Sequence, residues 1–380
     1  METYTVVEEQ WPFILSMLPS NLEETAKLNG AIVRKREVKS AAILLRLAMA
    51  YSFCGLSLRD TSTWALRAGI AKLSDVALLK RLKKAAGWFG FLLAQKLTER
   101  IPISLSCRPK LRLRIVDASS VSRPGSKGTD FRVHMGLDLS TLMIDRIELT
   151  DAKGGESLTR IPAEEGDVLI CDRGYAHRRG IYSVVKAMAH VIVRLNWQNL
   201  PLLHPDGRAF DILDNLRKLG PTEIGDFPVS TAPSTKDGIP SVQGRLIALR
   251  KSPEATETAR RKLYAQAKKK GKTPDKRTIE SCAYIFIFTT LPVELMSAID
   301  VLELYRFRWQ VELTFKRMKG ILFLDEMAAR DDLLCRTFLF IKLLTALLVE
   351  DLTRESGAFS PSGYGYRSSS MPVAPLSCCN

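Results

Sequence analysis

Histidine is scarce in this chain: four among 380 residues (His134, His177, His190 and His204), none at ligand spacing from a cysteine. That scarcity argues against zinc chemistry and against a histidine-driven acid–base mechanism. The seven cysteines (Cys54, Cys107, Cys171, Cys282, Cys335, Cys378 and Cys379) are scattered and odd in number. They offer neither a metal-ligand spacing nor a disulfide framework, so a reducing cytosol is the expected home. The opening METYTVVEEQWPF lacks the cationic start and apolar stretch of a signal peptide. The most apolar run, Leu333 to Val349, carries Arg336 and Lys342 and reads as a buried helix, not a membrane span. No fixed-period repeat is present.

Positive charge is what the chain has in excess. Lys plus Arg number 56 against 41 Asp plus Glu, a formal +15 at neutral pH. Such a balance suits a polyanionic partner. The length allows two or three domains with a large core. Residues 1–105 have helical periodicity and Gly69 separates two helical stretches, which fits a helix-turn-helix-like module or a plain helical bundle. From Leu111 the period shortens to two. Leu111, Leu113, Ile115 and Val116 run into Asp117, a turn-rich stretch follows, and Phe131–Leu139 and Met143–Thr150 read as a hairpin. Val168–Cys171 is a further apolar strand ending at Asp172, and then come a helix at Ile181–Ala189 and a strand at His190–Leu195.

The division expected is 1–105 helical, 106–200 an α/β core, 201–280 an inserted β-rich subdomain with a basic loop, 281–355 the second part of the core, and 356–380 a disordered tail. The basic loop, Arg260 to Arg277, holds nine cations and one acid. Alone it is a solvated loop, and beside a polyanion it is a phosphate contact. Ala283–Thr290 reads as a core strand that leads through Leu295–Leu304 into the most informative segment of the chain.

That segment is Tyr305 to Lys319, YRFRWQVELTFKRMK. On a helix, Tyr305, Arg308, Glu312 and Lys319 fall within an arc of roughly 60°. One carboxylate thus shares a face with an aromatic hydroxyl and two cations, while Lys316 and Trp309 border it. A solvated basic face would look similar. The spacing Tyr-(2)-Arg-(3)-Glu-(6)-Lys, together with DRGY at Asp172, resembles the IS4-type DDE transposases. The resemblance spans roughly Ile43 to Arg354; the ending SSSMPVAPLSCCN departs from it.

The resemblance implies an RNase H-like catalytic core interrupted by an insertion, with an N-terminal helical DNA-binding domain. It implies Asp117, Asp172 and Glu312 as catalytic, metal-binding carboxylates for a pair of Mg²⁺ ions, with Mn²⁺ as substitute. Singly, Asp117 also suits a turn former and Asp172 a helix cap. Asp130, Asp138 and Asp151 are the competing acids, and Glu156 in LTDAKGGES is given no catalytic role. Tyr305, Arg308 and Lys319 are expected to grip DNA phosphates, with Lys316 and Trp309 beside them. Tyr284 is a candidate platform for an extruded base, or a core tyrosine. Trp197 and His190 are read as core residues. The expected activity is metal-dependent cleavage at transposon ends through a hairpin, then strand transfer into target DNA. The partners are terminal inverted repeats, target DNA and a second copy of the chain, in a bacterial, nucleoid-associated setting. The alternatives are an RNase H-like nuclease without strand transfer, or a defective or domesticated DNA-binding copy.

Overall fold

The strands of the central sheet alternate between two cores. In β4 (Asp167–Cys171), Val168 and Ile170 face one apolar cluster while Leu169 and Cys171 face another. The same split separates Ile115 from Val116 in β1 (Arg112–Val121) and Ile192 from Val191 and Val193 in β5 (His190–Arg194). A period-two apolar run covered on both faces is what a layered α/β architecture requires. The computed structural model describes residues 10–99, 111–141, 143–195, 198–220, 223–327 and 329–358.

Among the described residues, nine strands form one mixed sheet in the order β3-β2-β1-β4-β5-β9-β8-β7-β6. The hairpin of β2 (Phe131–Asp138) and β3 (Met143–Asp151) is antiparallel and borders β1, whereas β1, β4 and β5 run parallel. Beyond β5 the sheet turns antiparallel through β9 (Tyr284–Thr289), β8 (Gln243–Arg250), β7 (Ile224–Thr231) and β6 (Leu202–Leu203). The strands within 201–280 therefore extend the main sheet instead of forming a sheet of their own. The basic stretch also differs from the expected loop. Its first half belongs to a solvent-exposed helix, Pro253–Lys269, started by Ser252, whose side chain accepts from the Ala255 N–H, with Pro253 in the first turn.

The N-terminal helices share a core with the C-terminal one. We number them α1 (Leu22–Leu28), α2 (Ala41–Phe53), α3 (Leu58–Arg67) and α4 (Asp75–Thr98). Gly69, at φ +65°, does turn the chain between α3 and α4. However, α4 is 24 residues long and buries Leu82, Trp88, Phe89 and Leu92. The later helices are α5 (Arg178–Lys186), α6 (Ile212–Leu216), α7 (Pro253–Lys269), α8 (Lys276–Ser281), α9 (Ala298–Arg306), α10 (Trp309–Leu322) and α11 (Asp332–Ala358). Gly90 of α4 lets the Phe340 ring of α11 approach, since a Cβ there would stand 3.1 Å from it. Thr337 donates to the Leu82 carbonyl at 2.8 Å, and Lys83 pairs with Asp331 at 2.8 Å. Among the described residues no helix is long and apolar enough to cross a membrane. The tail from residue 359 and Trp197 lie outside the described residues; His190 is half-buried, its Nδ1 3.2 Å from the Thr290 carbonyl.

Candidate active site

Parallel register brings the two aspartates together. Val116 pairs with Cys171 in the last step of the β1–β4 ladder. Asp117 and Asp172 are the next residues on their strands, so they stand side by side, facing away from the cluster that holds Val116 and Cys171. Asp172 follows the end of β4, as its sequence context suggests. Asp117 does not end its strand: β1 runs on to Val121, because β2 continues to pair with it (Asp117 with Met135) after β4 has stopped.

The signature is not a single helix. It divides at Phe307 and Arg308, between α9 and α10. Phe307 and Arg308 donate to the Leu304 and Tyr305 carbonyls, both at 3.1 Å, and Gln310 donates to the Phe307 carbonyl at 2.9 Å. These are the i to i−3 bonds of a tightened 3₁₀ turn, in which residues three apart eclipse. Arg308 consequently lies over the Tyr305 ring, 6.0 Å from its centroid. From α10, Val311, Phe315 and Met318 are buried in the core that includes Ile115, and α10 packs over β1 and β2. Glu312 and Lys316 are left on the exposed side.

Two signature residues connect the three acids. Arg308 approaches Asp117, with Nη1 3.7 Å from Oδ2, and its Nη2 donates to Glu312 Oε1 at 2.5 Å. The Tyr305 hydroxyl donates to Asp172 Oδ1 at 3.4 Å. Lys319 reaches the Ser120 carbonyl of β1 at 3.5 Å and Asp325 at 3.9 Å. Burial pushes the Asp117 carboxyl up to about 6; the Ala118 N–H and Arg308 oppose the rise, while Asp172 and Glu156 add to it. Burial likewise pushes the Tyr305 phenol up, helped by Asp172. Arg308 is held firmly charged despite its burial, through Tyr305, Glu312 and Asp172.

The donors suit a hard divalent cation, since all three are carboxylates and Asp117 is short of positive charge. Among the described residues, however, no three acidic, histidine or cysteine groups stand close enough to hold an ion as they are. The Arg308 guanidinium occupies the space between Asp117 and Glu312. The acids fit such an ion in the chemistry of their donors.

A cavity of about 330 Å³ opens beside Asp172, with Tyr284, Arg194, Lys251 and Lys262 in its wall. Tyr284 is buried, and its hydroxyl accepts from Arg250 Nη2 at 3.1 Å while the Arg250 guanidinium stacks 5.3 Å from the ring centroid. It is thus both a core tyrosine and part of the cavity next to Asp172. Burial and the neighbouring Arg194 push the Lys251 ammonium down. Trp309, at the first turn of α10, is 48% exposed.

Residues 108–348 match the family described as Transposase DDE domain. The chain is 38% identical over 362 residues to the putative transposase InsL of insertion sequence element IS186A from Escherichia coli K12, covering 94% of this chain and 97% of that protein. It is equally 38% identical, over 363 residues and the same shares, to the transposase of insertion sequence element IS421 from Escherichia coli. The chain belongs to the IS4-type DDE transposases. A piggyBac transposase synaptic complex with hairpin DNA aligns with 91% of this chain and 73% of its own at 8% identity, with a TM-score of 0.43.

In this transposase the competing acids are occupied elsewhere. Asp138 pairs with Arg112 at 3.0 Å and receives the Ser140 N–H and hydroxyl. Asp130 accepts the Arg123 N–H across its turn, and Asp151 accepts the Lys153 N–H. Of the cavity cations, Lys262 belongs to the basic stretch singled out in the sequence, whereas Arg194 and Lys251 carried no sequence signal, standing at and just past the ends of two different strands. Glu156 is also close to the site. Its one signal is the pair of glycines before it.

Proposed function

We propose that the transposase cuts element ends at Asp117, Asp172 and Glu312, using a pair of divalent cations held by these three carboxylates. The observation that carries this reading is the linkage of all three acids through Arg308 and Tyr305, two residues of one signature. Bound there, Mg²⁺ or Mn²⁺ would supply Lewis acidity for the attacking oxygen and charge relief for the leaving one. The residues around the acids have separate tasks. Arg308, exchanging carboxylates for a phosphate, would hold the cut strand with a bidentate fork. Tyr305 would donate to a phosphate oxygen, and Lys319 and Lys316 would track the backbone as point charges. Exposed Trp309 suits stacking on a base, and the cavity at Tyr284 suits an unstacked nucleotide.

The parallel and antiparallel strands β3-β2-β1-β4-β5 carry two of the acids, an arrangement we read as an RNase H-like core. In the proposed sequence a water oxygen attacks the end phosphate and the P–O3′ bond breaks, leaving a 3′-hydroxyl. That hydroxyl attacks a phosphate of the opposite strand, displacing the flanking DNA's 3′-oxygen to give a hairpin. A second water opens it by breaking the new P–O3′ bond, and the renewed 3′-hydroxyl attacks a target phosphate, displacing a target 3′-oxygen. Two ends held together call for two copies of the chain. The exposed basic helix α7 and Lys80 and Lys84 of α4 are the surfaces we assign to flanking DNA, at least part of it independent of sequence.

The test is nicking of a plasmid carrying the element ends. Magnesium-dependent nicking, lost in Asp172→Ala and Glu312→Ala while DNA affinity is retained, is the expected result. Full activity in either variant would overturn the assignment. Joining of the cut ends to a second plasmid separates transposition from simple nuclease action.

A further inference from the structure

The segment after β3 is fastened to its surroundings at three points, each requiring a glycine. A Cβ on Gly154 would stand 2.1 Å from Thr150 Oγ1, and one on Gly180 of α5 would stand 3.1 Å from the Leu158 Cβ. The tightest point lies between them. A Cβ on Gly174, in the turn directly after Asp172, would stand 1.7 Å from Glu156 Oε2. Residue 174 has no room for a side chain because the Glu156 carboxylate fills that space. Arg160 clamps the same segment, donating to the Gly155 carbonyl and to Glu148, both at 3.0 Å.

Little nearby neutralises this carboxylate. Among the described residues its ion-pair partner is Arg132, whose Nη1 is 3.9 Å from Glu156 Oε1. The acidic groups that bear on Asp117 are Asp172 and Glu156. A second observation concerns the same spot. Tyr175 is 1% exposed, yet its hydroxyl has no hydrogen-bond partner among the described residues, and Asp117 and Glu156 both act on it electrostatically. A buried hydroxyl without a partner is costly unless something else occupies the site. A hydrated cation would give that hydroxyl and the surplus of negative charge their missing partners.

We infer that Glu156 is a fourth carboxylate of the Asp117–Asp172 centre, a positioning residue that strengthens its hold on a divalent cation. The inference rests on the function proposed above and adds a residue to that site. Glu156 acts from outside the triad, on the Asp117 side, with Tyr175 as its uncharged companion. Carboxylates in this role change metal affinity more than they change the fold.

The test uses the full chain without DNA, so that catalysis plays no part in the readout. Thermal unfolding is followed in EDTA and across a magnesium chloride titration. Glu156→Gln should unfold no lower than wild type in EDTA and need about tenfold or more magnesium for half of the stabilisation. Gly174→Ala, which drives the carboxylate from its place while keeping its charge, should give the same loss. Glu148→Gln, an acid bound to Arg160, should leave the titration unchanged. A wild-type titration in Glu156→Gln, with Asp172→Asn shifted, would overturn this inference alone. If Asp172→Asn were unshifted too, the cation centre itself would be misassigned and Glu156 would fall with it.

Discussion

Asp117 shows what the site requires of one residue. Its folded carboxyl is pushed up to about 6 from an ordinary 3.8, by burial first and then by neighbouring acids. The folded state therefore binds more protons than the unfolded chain between those values. Stability from this group is present below the lower value and lost as pH rises through the upper one. At neutral pH its charge is a cost that the proposed cation would relieve. Asp117→Asn should therefore stabilise the metal-free protein by about 1–3 kcal/mol, read by chemical denaturation in EDTA, while abolishing nicking. A destabilised variant would mean that the Ala118 N–H and Arg308 outweigh burial. At this scale the sequence was legible where an acid had both a strand before it and a motif around it. Asp172 in DRGY met both conditions. Glu156 was not legible, since its importance comes from a glycine eighteen positions away whose missing side chain it replaces.

Among elements, the junction between α9 and α10 matters most. Regular helical spacing predicts that Tyr305 and Arg308 share a face, but not that the backbone tightens between them and stacks one on the other. That turn aims Arg308 at the acids. Arg308→Ala should remove the internal counter-ion, lowering the unfolding temperature in EDTA and widening the gain on adding magnesium. An unchanged gain would show that Arg308 does not stand in for a cation. The far end of α10 depends on Lys342 of α11, whose ammonium donates to the carbonyl of Phe323, a left-handed residue at φ +49°. Burial pushes Lys342 down to about 8 from 10.5, against the pull of Glu326 and Asp325. Between these values the unfolded chain binds more protons, so the stability due to this residue rises with pH. The difference in melting temperature between wild type and Lys342→Met should move in favour of wild type from pH 8 upward; a flat difference would contradict it. The basic stretch at 260–277 was read as a loop because charge obscured a periodicity with no buried face. Its helix has none to show.

At the scale of the molecule, the positions of the strands through β5 were legible because each is a short apolar run bounded by turns; their order in the sheet comes from the pairing. The extension of the sheet by β6, β7 and β8 was not legible, since the many glycines and prolines of that region also suit a separate unit. Nor could periodicity reveal that α4 packs along α11, a contact between residues some 250 positions apart (Leu82 to Thr337). The +15 charge suits the DNA contacts proposed above. Lys319→Ala should weaken binding to element ends and lower the slope of log affinity against log salt by about one. An unchanged slope would remove Lys319 from the phosphate contacts.

The most direct measurement is anomalous scattering from crystals of the full chain grown with manganese chloride. Manganese should lie among the Asp117, Asp172 and Glu312 carboxylates, with the Arg308 side chain turned away from Asp117. Manganese bound elsewhere, with Arg308 still bridging Asp117 and Glu312, would contradict the central claim.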